Sequence, residues 1–269
     1  MKKLSVIIPT FNCSDKLKRT IASIKNVPSI EIIVIDDGSH CNESKKNQQI
    51  CQLNDSMYFW FKNQGPSKAR YEGLKRATSE YVLFLDSDDV ISINAIKFGL
   101  NLLKEQENID FITFKSKYVT EITIPPPAFP LRKTYKTSKK ISQVLINIFG
   151  IPKQKTIGWN QSNTIYIKYK ILSIYSCRNL SWGEDIPLKV KIIRNLFGIS
   201  VDMPYSSLVE ISYGRGYSYN FKQVSDLAKE MYNINENTIT STVVFLAIYL
   251  RYIPSMVYKK VKKIIERKS

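Results

Sequence analysis

The sequence predicts an α/β fold in which a mostly parallel, doubly wound sheet carries helices on both faces. Short apolar runs alternate along residues 1–124 with segments whose apolar residues recur at helical spacing, a pattern typical of parallel strands joined by helices. Two of the apolar runs end in acidic clusters, at Asp36-Asp37 and at Asp86-Ser87-Asp88-Asp89. Because the carboxyl ends of parallel strands lie at one edge of a sheet, both clusters are expected to face one crevice.

The predicted strands are short runs rich in Val, Ile, Leu and aromatic residues. In chain order they are Leu4–Pro9, Ile30–Ile35, Met57–Phe61, Tyr81–Leu85, Phe111–Phe114, Tyr118–Ile124 and Thr164–Ile167. Helices are predicted between them, around residues 14–24, 43–53, 67–77 and 96–103. Ser14 or Asp15 is expected to cap the first of these helices, Ser67 the third, and Asp89 the fourth.

The strand Tyr81–Leu85 and the acidic turn after it carry the prediction of a metal site. Asp86 and Asp88 are two residues apart, so on an extended chain both side chains leave the same side of the backbone. A bound cation relieves their repulsion, and a few hard oxygen ligands suit Mg²⁺ or Mn²⁺ bridging to substrate phosphates. A solvated aspartate-rich turn is the alternative interpretation.

Several classes of site are disfavoured by what the sequence lacks. There is no GxGxxG after the first strand and no GxxxxGK[ST] anywhere, which argues against a dinucleotide oxidoreductase or a P-loop phosphotransferase. His40 is the only histidine, so a multi-histidine metal site is impossible and histidine-dependent nucleophilic catalysis has one candidate. The four cysteines match no zinc or redox spacing and are expected to be reduced cytosolic thiols. Neither a secretory signal nor a spanning helix is expected.

The charge is unevenly distributed along the chain. Residues 1–124 carry 17 Lys/Arg and 15 Asp/Glu, whereas residues 125–269 carry 23 and 8. A nearly neutral first half and a strongly basic second half suggest two different roles. The basic half is expected to meet an anionic partner, such as a phospholipid surface, a phosphate-bearing substrate or nucleic acid.

Four segments carry a resemblance to a known family: Ser5–Asn12, Ile33–Ser39, Asn63–Arg70 and Tyr81–Val90. In this order and spacing they resemble the inverting family 2 glycosyltransferases of GT-A fold, of the bacterial surface-polysaccharide type. The resemblance covers the first 90 residues. It implies a Rossmann-like, mostly parallel sheet with helices on both faces, to which this chain adds a C-terminal helical tail.

The resemblance implies a nucleotide pocket at the ends of the first two strands. Pro9, Thr10 and Phe11 would form one wall, with Phe11 against the base, and an aromatic face is a natural stacking platform for a base. Asp37 would accept a hydrogen bond from the uracil ring. Asp36 beside it is expected to serve the turn at the strand end instead.

The same resemblance implies roles around the acidic turn. Arg70 stands where the family places a positive residue near the nucleotide, and a surface arginine on a helix is the alternative. Asp86 would face the ribose and the metal, Ser87 would contact the nucleotide-sugar, and Asp88 would be the principal metal ligand. Asp89 is interpreted as a helix cap and not as a ligand.

A second pattern resembles the acceptor region of the same family. It comprises Gly158-Trp159-Asn160, the strand Thr164–Ile167 and the segment Trp182–Pro187, and it implies that Asp185 is the catalytic base. Because Pro187 suits an early helix position, Asp185 is expected at or near the N-cap, where the helix dipole favours an ionised carboxylate. A plain N-cap aspartate is the alternative.

Three further residues are weaker candidates for the acceptor side. Trp182 could stack on an acceptor sugar, although a buried core tryptophan is the alternative. Glu184 is expected to be an orienting or structural neighbour of the base. Arg215, in a loop that also resembles the family, could touch the diphosphate.

The chain is divided into three parts. Residues 1–124 are predicted to bind the donor, residues 125–236 to bind the acceptor and supply the base, and residues 237–269 to form a basic amphipathic helical tail. Apolar residues flanked by lysines in that tail favour a helix lying on an anionic membrane surface. A helix docked on the core with a solvated lysine face is the alternative.

The resulting prediction is an inverting transfer of a sugar from a UDP-sugar to a hydroxyl of a glycan or lipid-linked acceptor, assisted by Mn²⁺ or Mg²⁺. The enzyme would be cytoplasmic and peripheral on the inner face of the cell membrane. A catalytically inactive, membrane-associated binding subunit of the same fold is the alternative. A nucleic-acid partner is not expected, because no recognisable RNA-binding motif accompanies the charge.

Overall fold

An eight-stranded mixed sheet forms the centre of the fold. The computed structural model describes residues 2–25, 27–114, 116–119, 133–136, 164–175, 185–202, 207–210 and 221–234. Its strands are β1 Leu4–Thr10, β2 Ile30–Asp36, β3 Met57–Trp60, β4 Tyr81–Phe84, β5 Val90–Ile91, β6 Phe111–Phe114, β7 Ser116–Val119, β8 Lys133–Lys136, β9 Thr164–Ile167, β10 Gly198–Asp202 and β11 Ser207–Glu210.

The strand order across the described part of this sheet is β3-β2-β1-β4-β9-β6-β10-β8. The strands β1 to β4, β6 and β10 share one direction, whereas β9 is antiparallel between β4 and β6, and β8 is antiparallel beside β10. A smaller sheet has the order β5-β11-β7. The predicted mostly parallel sheet is therefore confirmed, with an antiparallel strand at its centre.

Helices cover both faces of the sheet, as predicted. They are α1 Ser14–Ile24, α2 Cys41–Leu53, α3 Pro66–Arg76, α4 Ile93–Glu105, α5 Lys168–Ile174, α6 Asp185–Asn195 and α7 Phe221–Ile234. Ile7 packs in a core cluster with residues of α3, α5, α6 and α7, whereas Val6 and Ile8 pack in a second cluster with residues of α1 and α4. Successive residues of β1 thus face opposite helical layers, which explains why this strand is apolar on both sides.

Helix α3 approaches β1 unusually closely. A Cβ added at Gly73 would lie 2.2 Å from Ile7 Cγ2 and 3.3 Å from Ile35 Cγ1. Only a glycine allows this contact without a shift of the helix. Arg70 lies one turn before Gly73 on the same buried face of α3, so the close packing also fixes where Arg70 stands relative to the strand ends.

Most predicted elements are confirmed, with small differences at their ends. The strands predicted at Phe111–Phe114 and Thr164–Ile167 have those bounds. The helices α2 and α4 begin two and three residues before their predicted starts. The strand predicted at Tyr118–Ile124 begins two residues earlier, as β7, and residues 120–124 lie outside the described residues.

The predicted helix caps were wrong. Cys13, Gly65 and Ser92 stand at the N-cap positions of α1, α3 and α4, and none of the three makes a side-chain capping hydrogen bond. Pro66 begins α3, which displaces the start of that helix to before Ser67. Asp89 cannot cap α4 because the short strand β5 lies between them.

The predicted division of the chain at residue 124 does not separate two sheets. Strands β8, β9 and β10 come from beyond that position, yet they lie in the same sheet as β1 to β4. The donor and acceptor halves therefore stay a prediction about function. No helix among the described residues is long and apolar enough to cross a bilayer, and the tail at 237–269 lies outside those residues.

Candidate active site

The carboxyl ends of β1, β2 and β4 lie side by side at one edge of the sheet. These strands are adjacent and parallel, with Thr10 opposite Asp36 and Ile7 opposite Phe84. The backbone N–H of Asp37 donates to the Thr10 carbonyl at 2.9 Å, and that of Leu85 donates to the Ile7 carbonyl at 2.9 Å. The two acidic clusters and the end of β1 therefore lie together at one edge of the sheet.

Phe11 is the exposed member of the wall predicted at the end of β1. Pro9 and Thr10 are buried in the strand, whereas 46% of Phe11 is accessible to solvent. The chain then turns at Asn12, which has a φ of 50°. An exposed aromatic ring at this edge is available for stacking with a flat ligand.

Two further aromatic residues, His40 and Trp60, lie near the same strand ends. The His40 ring lies 6.4 Å from the Phe11 ring, centroid to centroid, and Trp60 at the end of β3 is 52% exposed. The His40 N–H donates to Asn12 Oδ1 at 2.9 Å, and the Trp60 indole N–H donates to the Ser39 carbonyl at 3.5 Å. No sequence motif around either residue predicts that its ring is exposed, so their exposure is apparent only from the structure.

Asp36 supports the turn at the end of β2, as expected. It is fully buried; its Oδ1 accepts the Ser39 N–H at 2.8 Å, and its Oδ2 accepts Asn47 Nδ2 and the Tyr58 hydroxyl, each at 2.8 Å. Helix α2 and strand β3 are thus bound to the end of β2. A carboxylate saturated in this way is a structural group.

Asp37 points to the other side of the same strand end and holds a different loop. Its Oδ1 accepts the Gln64 N–H at 2.8 Å and its Oδ2 accepts the Gly65 N–H at 2.9 Å. Burial raises the pKa of Asp37, the bonds from Gln64 and Gly65 offset part of that rise, and the Asp36 carboxylate adds to it. The loop that leads into α3 is therefore fixed by the carboxylate that the resemblance assigns to the uracil ring.

The acidic turn after β4 is held from helix α1. The Thr20 hydroxyl donates to the carbonyls of Ser87 and Asp89, at 2.9 and 2.8 Å, and Arg19 Nη2 donates to the Asp88 carbonyl at 2.9 Å. Cys13 Sγ lies 3.0 Å from Ser87 Oγ. These contacts hold the backbone of the turn from Ser87 to Asp89 against α1.

The predicted metal ligands are accessible at this turn. Asp86 and Asp88 are partly buried, whereas Ser87 and Asp89 are buried. In the described part of the chain no group of three or more His, Cys, Asp or Glu side chains is arranged to hold a metal ion. Two hard carboxylates suit Mg²⁺ or Mn²⁺ that takes its other ligands from phosphates and water, so the donor set fits an open site of that kind.

Arg70 of α3 pairs with the acidic turn. Its Nη2 donates to Asp86 Oδ1 at 2.6 Å, and its side chain is 9% exposed against 31% for Asp86. This excludes the alternative of a surface arginine. Charge-assisted bonds of this length are strong, and the low exposure limits screening by solvent.

Asp185 is the first residue of α6, where the helix dipole favours an ionised carboxylate. Its Oδ2 accepts a hydrogen bond from Lys189, one turn further along the helix. Burial raises the pKa of Asp185, but the Lys189 ammonium and its hydrogen bond, together with the Arg70 guanidinium, outweigh burial and lower it below the ordinary value. Asp185 is therefore a carboxylate that stays ionised close to the acidic turn.

The shared core explains how Asp185 comes to lie within range of Arg70. Leu188 and Ile192 of α6 pack in the same cluster as Ala69 and Leu74 of α3. Tyr175, at the end of α5, stacks on Tyr71 with ring centroids 5.6 Å apart. Sequence reasoning did not find Lys189, although its spacing of four residues from Asp185 is readable.

The remaining predicted site residues lie outside the described part of the chain. These are Trp182, Glu184 and Arg215. The segment Gly158-Trp159-Asn160 lies outside it as well. Their roles stay predictions.

The fold and this edge of the sheet agree with one family. The sequence model of Glycosyl transferase family 2 matches residues 5–155, which is more than half of the chain. The chain therefore belongs to glycosyl transferase family 2, and the resemblance carried by its first 90 residues is confirmed.

Individual relatives extend the similarity over nearly the whole chain. The sequence is 28% identical over 278 residues to the poly(ribitol-phosphate) beta-N-acetylglucosaminyltransferase TarP of Staphylococcus aureus (strain N315), covering 98% of this chain and 76% of TarP. The structure is similar to S. aureus TarS 1–349 in complex with UDP-GlcNAc, with a TM-score of 0.68, 21% identity, and coverage of 93% of this chain and 73% of that one.

A more distant structure shares the same fold. The mannosyltransferase PcManGT from Pyrobaculum calidifontis, in complex with GDP-Man and Mn²⁺, has a TM-score of 0.58 and 12% identity, covering 93% of this chain and 70% of that one. These two likenesses confirm the predicted GT-A fold. Since the two structures hold different nucleotide-sugars, the fold does not determine the donor.

Proposed function

We propose that this glycosyltransferase moves a sugar from a UDP-sugar to a hydroxyl group of a glycan or lipid-linked acceptor, with inversion at the anomeric carbon. The observation that carries the proposal is the position of Arg70. Its guanidinium pairs with Asp86 in the acidic turn and also lowers the pKa of Asp185. A donor-binding turn and an ionised carboxylate suited to act as a base thus belong to one charged site.

The nucleotide is proposed to lie across the ends of β1 and β2. Phe11 offers an exposed face for the nucleobase. Asp37 keeps acceptor capacity, because among the described residues each of its oxygens takes one backbone N–H and a carboxylate oxygen can accept two hydrogen bonds. A uracil N–H could then donate to Asp37. The UDP-GlcNAc complex of the similar protein TarS supports a UDP-sugar as donor.

The diphosphate is proposed to lie at the acidic turn. Asp88 and Asp86 would hold Mg²⁺ or Mn²⁺, which would offset negative charge on the departing diphosphate. Arg70 and the contacts from α1 keep these two carboxylates in place. The Mn²⁺ complex of the distant relative PcManGT supports this assignment.

Transfer is proposed to be a single displacement with Asp185 as general base. The acceptor hydroxyl gives its proton to the Asp185 carboxylate while its oxygen forms a bond to the anomeric carbon. The bond from that carbon to the diphosphate oxygen breaks, and its electron pair leaves with UDP. One displacement inverts the configuration, and the lowered pKa of Asp185 keeps it ready to accept a proton at neutral pH.

The acceptor is proposed to be a phosphate-bearing glycan of the bacterial surface-polysaccharide kind. Residues 125–269 carry 23 Lys/Arg against 8 Asp/Glu, which favours a polyanion. The similar protein TarP acts on poly(ribitol-phosphate). Association with the inner face of the membrane through residues 237–269 would bring the enzyme to such acceptors.

The test is a transfer assay on the full chain. UDP-GlcNAc, other UDP-sugars and GDP-Man are each supplied with Mn²⁺ or Mg²⁺ and with poly(ribitol-phosphate), and nucleotide release and product mass are measured. Turnover with a UDP-sugar is expected, and the product's anomeric configuration, determined by NMR, should be opposite to that of the donor.

Asp185→Asn tests the base. It should lower turnover by about 10²- to 10⁴-fold while UDP binding is unchanged. Asp15→Asn, at an exposed position of α1, is the control and should behave as wild type. Retained turnover in Asp185→Asn would remove Asp185 from the role, and UDP binding without turnover on any donor would favour an inactive binding subunit.

A further inference from the structure

Lys189 is the charged group in direct contact with the proposed base. Its Nζ donates to Asp185 Oδ2, and the two side chains are 22% and 35% exposed. Both residues stand on α6, whose apolar residues are buried against the sheet and against α7. The lysine and the aspartate are therefore carried by one rigid helix.

An ion pair four residues apart on an open helix surface contributes little, because water screens it and both side chains lose freedom. The surroundings of this pair differ. Asp185 begins the helix, and Arg70 of α3 acts on it from a neighbouring element, while Arg70 itself pairs with Asp86 of the acidic turn. The Lys189–Asp185 pair is therefore also under the electrostatic influence of Arg70, which is itself paired with Asp86.

We infer that Lys189 is a positioning residue for the base: it fixes Oδ2 of Asp185, so that Oδ1 takes the proton of the acceptor hydroxyl. This inference rests on the proposed function, in which Asp185 is the base. Lys189 itself touches neither the sugar nor the diphosphate in this role. It acts through the orientation and the charge of Asp185.

The sign of the expected pH effect follows from the charges around Asp185. Lys189 on its own helix and Arg70 on α3 favour the ionised carboxylate. On the other described elements packed against α6, Lys168 of α5 binds the Ala77 carbonyl, Lys170 pairs with Asp110, and Glu230 of α7 is buried. Removal of Lys189 should therefore raise the pKa of Asp185. The carboxylate would then become protonated, and activity would be lost, at a higher pH than in wild type.

The test compares pH profiles of kcat and kcat/KM for Lys189→Met, Lys189→Arg and Lys191→Met. Lys191 lies on the same helix, two residues along and hence on another side, which makes it a matched control. Lys189→Met should lower kcat at least about 10-fold on the pH plateau, because Oδ2 of Asp185 is no longer held, and should move the acid limb upward by about half a pH unit or more. The donor KM should stay the same, Lys189→Arg should recover most of kcat, and Lys191→Met should match wild type. An unmoved acid limb in Lys189→Met would overturn the inference.

A second measurement does not depend on activity. Carboxyl ¹³C NMR titration of the aspartates, with Asp185 assigned from its missing signal in Asp185→Asn, gives the pKa of the base directly. Lys189→Met should raise it and Lys191→Met should not. An unchanged titration in Lys189→Met overturns the inference alone, whereas full turnover in Asp185→Asn overturns the proposed function and the inference with it.

Discussion

Arg70 Nη2 lies 2.6 Å from Asp86 Oδ1, and this contact joins helix α3 to the acidic turn after β4. The arginine is 7% exposed, so its charge is only weakly screened. Because the same guanidinium lowers the pKa of Asp185, one residue holds the donor side and also acts on the proposed base. In the proposed function, a cation bound to Asp86 would compete with Arg70 for that carboxylate, and metal binding would then change the charge near the proposed base.

Replacement of Arg70 by Met should affect both sides of the site. Asp86 would lose its ion pair with Arg70 and Asp185 would lose a nearby cation, so kcat/KM should fall by about 10²-fold and the acid limb should move to higher pH. Lys75→Met, at an exposed position of the same helix, is the control. Steady-state kinetics over a pH series make the comparison, and a profile of wild-type shape with an unchanged rate would show that Arg70 serves neither carboxylate.

The fold and the role of Asp36 in the turn could be predicted because their signals are local. The apolar strands β2 and β4 are each followed directly by their carboxylates, whereas the role of Asp37 toward a nucleotide stays a prediction. Contacts from Arg19 and Thr20 to the acidic turn span 67 to 69 residues of sequence. No local pattern encodes them.

Other features were missed for different physical reasons. The insertion of β9 between β4 and β6 depends on a long crossover, and a four-residue strand carries no sign of its direction. The cap predictions failed because Ser67 and Asp89 have capping propensity but stand at the wrong positions. Pro66 begins α3 before Ser67, and β5 lies between Asp89 and α4. Lys189 could have been found, since a lysine four residues after an aspartate on a predicted helix is a readable pair.

Metal removal should show how much of UDP binding depends on the diphosphate and how much on the uracil ring. Chelation with EDTA should weaken UDP binding and stop transfer, and added Mn²⁺ or Mg²⁺ should restore both. Asp88→Ala should reproduce the chelated state and show no response to metal, in a titration followed by calorimetry. Asp15→Ala, in α1, is the control for loss of a carboxylate near the same edge. Metal-independent UDP binding in wild type that survives Asp88→Ala would contradict the assignment of the ligand.

Gly73→Ala should destabilise the fold despite the better helix propensity of alanine. The new Cβ would meet Ile7 Cγ2 at 2.2 Å, and overpacking of this kind costs about 1–3 kcal/mol, against a gain of about 1 kcal/mol from the helix. Urea unfolding should therefore show a net loss of up to about 2 kcal/mol. Lys75→Ala, at an exposed position of α3, is the control and should show no such loss of unfolding free energy.

A double-mutant cycle identifies the clash as the cause. Ile7→Ala removes the methyl group that the new Cβ would meet, so Gly73→Ala should cost less in that background than in wild type. Activity should follow the same order, because a shift of α3 also moves Arg70. Equal costs in both backgrounds would mean that the loss of stability arises elsewhere.

Asp37→Asn should test whether one carboxylate serves both the loop and the nucleotide. The amide keeps the shape but replaces one acceptor by a donor, which would face the N–H of Gln64 or Gly65. An unsatisfied buried pair of this kind costs about 1–3 kcal/mol, so the free energy of unfolding should fall by that amount. Loss of the acceptor for the uracil N–H should also weaken UDP binding by about 10-fold or more, measured by calorimetry. Gln64→Ala, which keeps its backbone N–H, is the control and should leave stability unchanged. A stability loss with unaltered UDP affinity would mean that Asp37 only holds the loop. Recognition of the uracil ring would then rest on Phe11.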